Sequence, residues 1–120
     1  MLTNPSPMSY ELRMQTDADL LLKALADPTR RAIYERLSRD GETTVRGLTD
    51  RAGVSQPAVS KHLNMLKASG LVLERRAGRQ THYSVRPQGL KPLIDWMQIY
   101  GAFWSAKLDN LEDLLDRMDQ

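Results

Sequence analysis

The chain has 120 residues, of which 41% are apolar and 27% are charged, and it contains no cysteine. This length and composition indicate one globular domain, and the lack of cysteine excludes disulfides, thiolate metal sites and thiol redox switches. No apolar run approaches the roughly 18 residues of a membrane-spanning helix, so we expect a cytoplasmic protein with no membrane partner.

The net charge of +2 is distributed unevenly along the chain. Residues 55–86 hold six basic residues and one acidic residue, Glu74, whereas residues 87–120 hold three basic and six acidic residues. Residues 1–54 are balanced, with eight residues of each sign. A basic segment of this kind indicates a polyanionic partner such as nucleic acid.

The predicted elements begin after a Pro/Ser/Asn-rich tail over residues 1–9, which we expect to be disordered. Thr16 and Asp19 have the spacing of a capping box and predict the start of a first helix. The helical spacing of apolar residues then predicts its buried face, which consists of Ala18, Leu21, Leu22 and Leu25.

Cap residues divide residues 27–70 into three further helices. The predicted N-caps are Asp27 (followed by Pro28) for the second helix, Thr43 or Thr44 for the third and Ser55 for the fourth, and the predicted stops are Gly41, Gly53 and Gly70. Apolar spacing predicts the buried residues of the second and fourth helices, namely Ile33, Leu37, Val59, Leu63 and Leu66.

The outer face of the fourth helix carries no acidic residue, although a solvated helix face ordinarily carries both signs of charge. The third and fourth helices, joined by "AGV", have the lengths and glycine-containing turn of a helix-turn-helix. The second helix of that motif lies in the major groove of DNA, where flanking phosphates would repel a carboxylate. The sequence therefore predicts contact with double-stranded DNA through Ser55, Gln56, Pro57, Ser60, Lys61 and Asn64.

The segment "LVLERRAGRQTHYSV" contains two β-rich runs around "AG" and predicts a hairpin. Its tip carries Arg75, Arg76, Arg79 and Gln80, a basic wing that could reach an adjacent minor groove. The predicted fold is therefore mainly α with a small β-hairpin, a winged helix-turn-helix in the order α-α-α-α-β-β-α.

Residues 87–119 read as one long helix, which at 1.5 Å per residue would extend about 45 Å and outreach a small domain. Apolar residues alternate at spacings of three and four along it, which is a heptad seam. We expect a two-fold homodimer, with residues 16–86 as a DNA-binding head and 87–119 as the dimerisation helix of a single domain over 10–119. The predicted dimer contacts are Leu90, Ile94, Met97, Gly101, Trp104, Leu108, Leu111 and Leu115.

Three stretches, "LLKALADPTRRAIYERL", "VRGLTDRAGVSQPAVSKHLNMLKASGLV" and "RRAGRQTHYSV", resemble the ArsR/SmtB family of bacterial winged-helix repressors. The resemblance implies a homodimeric transcriptional repressor that binds a palindromic operator. By the same resemblance the DNA contacts are Gln56, Ser60, Lys61 and His62 on the fourth helix and Arg75, Arg79 and Gln80 on the wing.

The chain departs from the metal-sensing members of that family. Family sites on the DNA-binding helices use cysteine, and the site on the terminal helices uses paired histidine and carboxylate ligands. This chain has no cysteine, and residues 87–120 contain no histidine. The stretch "LIDWMQIYGAFWSAKLDNLEDLL" resembles a branch without metal ligands, so we expect no metal and no cofactor.

Some alternatives stay open at this point. Trp96, Tyr100, Phe103 and Trp104 could line a pocket for a small-molecule effector or serve only in packing, and His62 could contact a base or be structural. No catalytic motif is present, so we expect no enzyme activity. The alternative function is a winged-helix module whose basic wing docks an acidic protein, which the lack of apolar anchors on the wing disfavours.

Overall fold

The computed structural model describes the backbone of residues 7–119 and the side chains of residues 17–119. Within these residues, none of the helices has the length and hydropathy of a transmembrane span. The elements in chain order are α1 (Pro7–Ala26), α2 (Pro28–Asp40), β1 (Thr43–Thr44), α3 (Val45–Thr49), α4 (Gln56–Ala68), β2 (Val72–Ala77), β3 (Gln80–Val85) and α5 (Lys91–Met118).

The mainly helical winged fold is confirmed, but the sheet has three strands and not two. It is antiparallel in the order β1-β3-β2, with Thr43 opposite Tyr83 and Thr44 opposite His82. A strand of two residues is too short to show the alternation of apolar and polar residues by which strands are predicted. The extra strand ties the segment before α3 to the hairpin.

The first helix begins earlier than the capping box indicated. Since α1 begins at Pro7, Thr16 lies inside the helix and is not its N-cap. The intervening "ELRMQ" consists of strong helix formers, which allows the helix to continue upstream. Residues 7–9 of the tail predicted to be disordered belong to α1, and residues 1–6 lie outside the described residues. Leu22, predicted to be buried, is 46% exposed, and Ala24 is buried in its place.

The predicted N-caps of α2, α3 and α4 are confirmed, whereas α3 ends at Thr49 and not at the predicted stop Gly53. Asp27 accepts a hydrogen bond from the Arg30 N–H at 2.9 Å, Thr44 accepts from Gly47, and Ser55 accepts from Ala58. Between these caps the apolar stripes face one core, and all five residues predicted for α2 and α4 are buried. The core draws on every described helix except α5, and its members include Leu21, Ile33, Leu37, Leu48, Val59, Leu63, Leu66, Leu71, Val72 and Tyr83.

One charged residue, Arg30, is buried within this core. Its guanidinium donates to the backbone oxygens of Lys23 and Ala24 at the end of α1 and contacts the Met65 sulfur of α4 at 3.0 Å. A cation at the carbonyl end of a helix is favourable because those oxygens carry partial negative charge. The Arg30 side chain therefore joins α1, α2 and α4, a role that the sequence pattern did not reveal.

The last helix begins at Lys91, and residues 87–90 form a turn before it. Gly89 in this turn lies against the end of α4, because a Cβ atom there would be 2.7 Å from the Gly70 oxygen. No other residue type fits this approach. Leu90 and Leu93 pack against the core, whereas no residue of α5 is buried. Most of the helix therefore extends beyond the head.

Candidate DNA interface

The fourth helix is oriented by its apolar side. Val59, Leu63 and Leu66 have no exposed surface, so the opposite side of α4 faces outward. Pro57 in the first turn and the Ser55 cap fix where the helix begins. The outward side carries no carboxylate, because α4 contains no acidic residue at all.

The structure leaves nearly all of the predicted α4 contacts accessible. Ser60 is half-buried, and Ser55, Gln56, Pro57, Lys61 and Asn64 are exposed. The Ser55 hydroxyl oxygen already accepts the Ala58 N–H at 3.3 Å, which leaves its proton to donate. These side chains together form a surface of hydroxyl, amide and ammonium groups.

His62 has an intermediate position. Its side chain is half-buried, and its Nδ1 atom is enclosed without a hydrogen-bond partner among the described residues. The ring therefore points partly into the protein, and Nδ1 does not face outward in this conformation. The base-contact and structural interpretations of this residue both remain predictions.

The wing, defined as β2, β3 and the two residues between them, is the predicted hairpin. Ala77 pairs with Gln80, and Gly78 in the turn has φ of 63°, a conformation that glycine adopts without strain. Arg76 is 83% exposed at its side chain, and Arg79 lies in the turn itself. The tip therefore presents two arginines to the outside.

A third wing arginine, Arg75, is held by a carboxylate that the sequence did not connect with it. Its guanidinium donates to both oxygens of Glu42, at 3.2 and 2.5 Å, and the His82 Nδ1 atom lies 3.7 Å from the same carboxylate. The hydrogen bond from Arg75 lowers the pKa of Glu42. Glu42 precedes β1, and only the pairing of β1 with β3 brings it to the wing.

Lys67, at the end of α4, is paired in a similar way. Its ammonium lies 2.6 Å from a carboxylate oxygen of Glu74 and lowers the pKa of that residue. Arg76 approaches the other oxygen of Glu74 only to 4.0 Å. Glu74, the one acidic residue of residues 55–86, therefore pairs mainly with Lys67 of α4. Arg76 and Arg79 at the wing tip keep their positive charge.

The predicted contacts on α4 and on the wing meet across a shallow polar groove, here called the arginine groove. Gln56 and Ser60 of α4 lie on one side of it, and Arg79 and Gln80 of the wing lie on another. The sequence interpretation missed the remaining lining residues, which are Thr44, Val45, Arg46 and Thr81. The signal for Arg46 was its place in the first turn of the helix that precedes the recognition helix.

The predicted dimer face on α5 is exposed. Leu90 is half-buried against its own core, whereas Ile94, Met97, Trp104, Leu108, Leu111 and Leu115 are each between 46% and 57% exposed. A Cβ atom on Gly101 would meet nothing within 4 Å. Trp96 and Tyr100 contact each other at 5.0 Å between ring centroids and are also exposed. Within one chain, Trp96, Tyr100 and Trp104 line an open apolar cavity of about 400 Å³ together with Met97 and Gly101, and the effector-pocket and packing interpretations of these aromatic residues both stay predictions.

The chain exposes more surface than a compact monomer would. Its accessible area is 9224 Å², whereas a compact protein of this mass exposes about 6,600 Å². The radius of gyration is 19.7 Å, against about 14 Å for a compact domain of this length. Among the described residues, no group of three or more His, Cys, Asp or Glu side chains could hold a metal ion.

Comparison with known proteins gives consistent matches. A family model described as a helix-turn-helix domain matches residues 25–75. The HTH-type transcriptional regulator Rv2034 of Mycobacterium tuberculosis is 42% identical over 98 residues, which cover 82% of this chain and 88% of that protein. The transcriptional repressor SdpR of Bacillus subtilis is 35% identical over 77 residues, covering 64% of this chain and 84% of that protein.

Solved structures agree with these matches. An ArsR-like transcriptional regulator from Rhodococcus sp. RHA1 has a TM-score of 0.67 at 30% identity, covering 83% of this chain and 93% of that one. The homodimeric winged helix-turn-helix DNA-binding domain of Mb0332 from Mycobacterium bovis has a TM-score of 0.61 at 25% identity. The match covers 85% of this chain and 91% of that one. The similarity therefore extends over both the head and part of α5.

Proposed function

Because the chain belongs to the ArsR/SmtB family of winged-helix transcriptional regulators, we propose that it is a homodimeric repressor that binds a palindromic operator. Its role is DNA binding and regulation of transcription, without catalysis, on chromosomal DNA in the cytoplasm. Residues 16–86 act as the DNA-binding head, and residues 87–119 hold the dimer together.

The observation that carries this proposal is the combined surface of α4 and the wing. Hydroxyl, amide and ammonium groups cover the outward side of α4, and Arg79 of the wing tip lies across one groove from Gln56 and Ser60. The major groove of B-DNA, about 12 Å wide, accepts one such helix, and base edges accept hydrogen bonds from these side chains. No lining residue of the groove is acidic, which suits a polyanion.

Dimerisation is supported by the exposed apolar side of α5. Ile94, Met97, Trp104, Leu108, Leu111 and Leu115 on this side are each about half exposed, and apolar surface exposed to this extent favours association. A structural neighbour, the Mb0332 domain, is named as homodimeric. In a two-fold dimer, the two α4 helices would enter successive major grooves about 34 Å apart, and the operator would be palindromic.

The test is binding of the purified full chain to duplexes from its own upstream region. We expect an affinity at least 10³-fold higher than for a scrambled duplex of the same composition, measured by fluorescence anisotropy at fixed salt. In a cell-free transcription assay, the chain should reduce transcription from that promoter. Equal affinity for both duplexes would contradict the proposal and would favour a module that docks an acidic protein.

A further inference from the structure

We propose that the arginine groove holds one phosphate of the DNA backbone and that Arg46 of α3 and Arg79 of the wing are its two charged contacts. The inference rests on the proposed DNA binding and adds a residue of α3 to the contacts predicted on α4 and the wing. Both arginines line the same groove, together with Gln56, Ser60 and Gln80.

The pairing of charges on this side of the protein supports the assignment. Two other basic residues on this side already have carboxylate partners, since Arg75 pairs with Glu42 and Lys67 pairs with Glu74. Among the described residues, neither Arg46 nor Arg79 has a carboxylate partner. Two guanidinium groups in one groove without an anion repel each other, and an incoming phosphate would remove that cost.

The neutral residues of the groove suit a phosphodiester. Gln80 offers two amide donors, and no side-chain hydrogen bond within the described residues occupies them. An arginine can donate two parallel hydrogen bonds to phosphate oxygens, which fixes both position and orientation. The groove therefore provides charge together with directed hydrogen-bond donors.

The position of the groove favours a DNA phosphate over a free anion. The groove connects the outward side of α4 with the wing tip. Since phosphates border the major groove that α4 is proposed to enter, a strand that passes from α4 to the wing would place a phosphate here. The contact would fix the register of α4 on the duplex and would carry no sequence preference of its own.

The experiment measures DNA affinity of Arg46→Gln and Arg79→Gln across a series of salt concentrations, on the operator and on a scrambled duplex. We expect each variant to lose about tenfold in affinity for both duplexes at low salt. The slope of log affinity against log salt should fall by about one. The matched control is Arg117→Gln on the exposed end of α5, which should leave the slope unchanged.

Two further measurements separate this role from a loss of folding. Because each variant removes a repelling charge, the melting temperature of the DNA-free protein should stay the same or rise. Arg46→Lys, which keeps the charge, should retain the slope of the wild type. An unchanged slope in Arg46→Gln would overturn the proposal, as would a loss of slope in Arg46→Lys.

A titration with inorganic phosphate distinguishes the two sources of the anion. Phosphate alone could raise the melting temperature of the wild type but not of Arg46→Gln. If the salt slope of DNA binding is also the same in Arg46→Gln as in the wild type, the groove binds a free anion and the DNA assignment is wrong. These tests of the groove do not depend on whether the protein prefers its operator over scrambled DNA. A wild type that binds all DNA equally would contradict the proposed function while leaving the slope test of the groove intact.

Discussion

Gln56 and Ser60 lie on the outward side of α4, whereas Arg76 lies on the wing, and the two groups would contact different parts of a DNA duplex. An amide or a hydroxyl can distinguish the donors and acceptors of base edges. An exposed guanidinium on the wing tip is suited to phosphates, which are the same for every sequence. Substitutions in the two groups should therefore have different effects.

Replacing Gln56 or Ser60 with Ala should reduce sequence preference. Losing one good base contact costs about 1–3 kcal/mol, so the affinity ratio of operator to scrambled DNA should fall by a factor of roughly 5 to 150. Competition binding at fixed salt measures this ratio. Gln98→Ala on exposed α5 is the control. If neither variant of α4 changes the ratio, α4 is not the helix that reads the operator.

Replacing Arg76 with Ala should weaken binding to operator and scrambled DNA alike. The side chain is highly exposed, and its approach to Glu74 is only 4.0 Å, so most of its charge is available to a phosphate. Removing one phosphate contact should lower the salt slope by about one. Anisotropy titrations at several salt concentrations give this slope. An unchanged value would mean that the wing does not lie on the DNA.

At the scale of elements, the wing is held by ion pairs as well as by strand pairing. Glu42, before β1, accepts both hydrogen bonds from Arg75 of β2, and Glu74 of β2 pairs with Lys67 of α4. These carboxylates connect the wing to the head and occupy two basic residues. They therefore influence how much positive charge the wing offers to DNA.

The substitution Glu42→Gln should increase non-specific DNA binding. Arg75 would lose its anionic partner and become available to a phosphate, so affinity for scrambled DNA should rise and the salt slope should increase by about one. The ratio of operator to scrambled affinity should fall. Glu35→Gln, on the exposed side of α2, makes the same change of charge without affecting the wing and should leave both values unchanged.

Acidic pH should weaken the ion pairs that connect the wing to the head. The pKa values of Glu42 and Glu74 are lowered in the folded chain by their hydrogen bonds with Arg75 and Lys67. A lowered pKa means that the pairs stabilise the fold above the ordinary glutamate pKa of about 4.3 and that this contribution is lost as the pH falls through the folded-state values. The melting temperature of the wild type should therefore decline below about pH 5.

The double variant Glu42→Gln/Glu74→Gln provides the comparison for this pH dependence. Its melting temperature should decline less steeply over the same acid range, because it has lost the two titrating groups. High salt should reduce the difference between the two proteins, since both pairs are exposed to solvent. Parallel pH profiles would show that the pairs contribute nothing to folding stability.

At the scale of the whole molecule, α5 determines whether the chain is stable alone. Its apolar residues cover more than one side, and the described part of the chain buries none of them completely. Exposed apolar surface of this extent favours association or aggregation. A dimer that covers α5 would also set the spacing of the two α4 helices.

Leu108→Asp should give a monomer or insoluble protein and abolish tight operator binding without changing any DNA contact. A buried, unpaired carboxylate in an interface is strongly unfavourable. Ala106→Asp is the matched control, because Ala106 shares the polar side of α5 with Asp109 and Asp113, and it should leave a dimer. Sedimentation equilibrium measures the oligomeric state of each variant. A monomeric wild type, or a Leu108→Asp variant that binds the operator tightly, would contradict the dimer model.

Much of the fold could be predicted because it depends on local signals. Caps at Asp27 and Ser55 act within three residues, and the spacing of Val59, Leu63 and Leu66 specifies which side of α4 is buried regardless of what covers it. The start of α1 was mispredicted because a capping pattern at Thr16 competes with good helix formers upstream of it.

The sequence by itself determined the order of the elements, the outward side of the recognition helix and the basic wing, because each is encoded by neighbouring residues. Only the tertiary structure decided which charges remain available. Glu42 neutralises Arg75 from 33 positions away, and Arg46 joins Arg79 in one groove, because the short strand β1 pairs with β3. A charge acts through distance in space, and that distance is set by chain topology, which no local pattern contains.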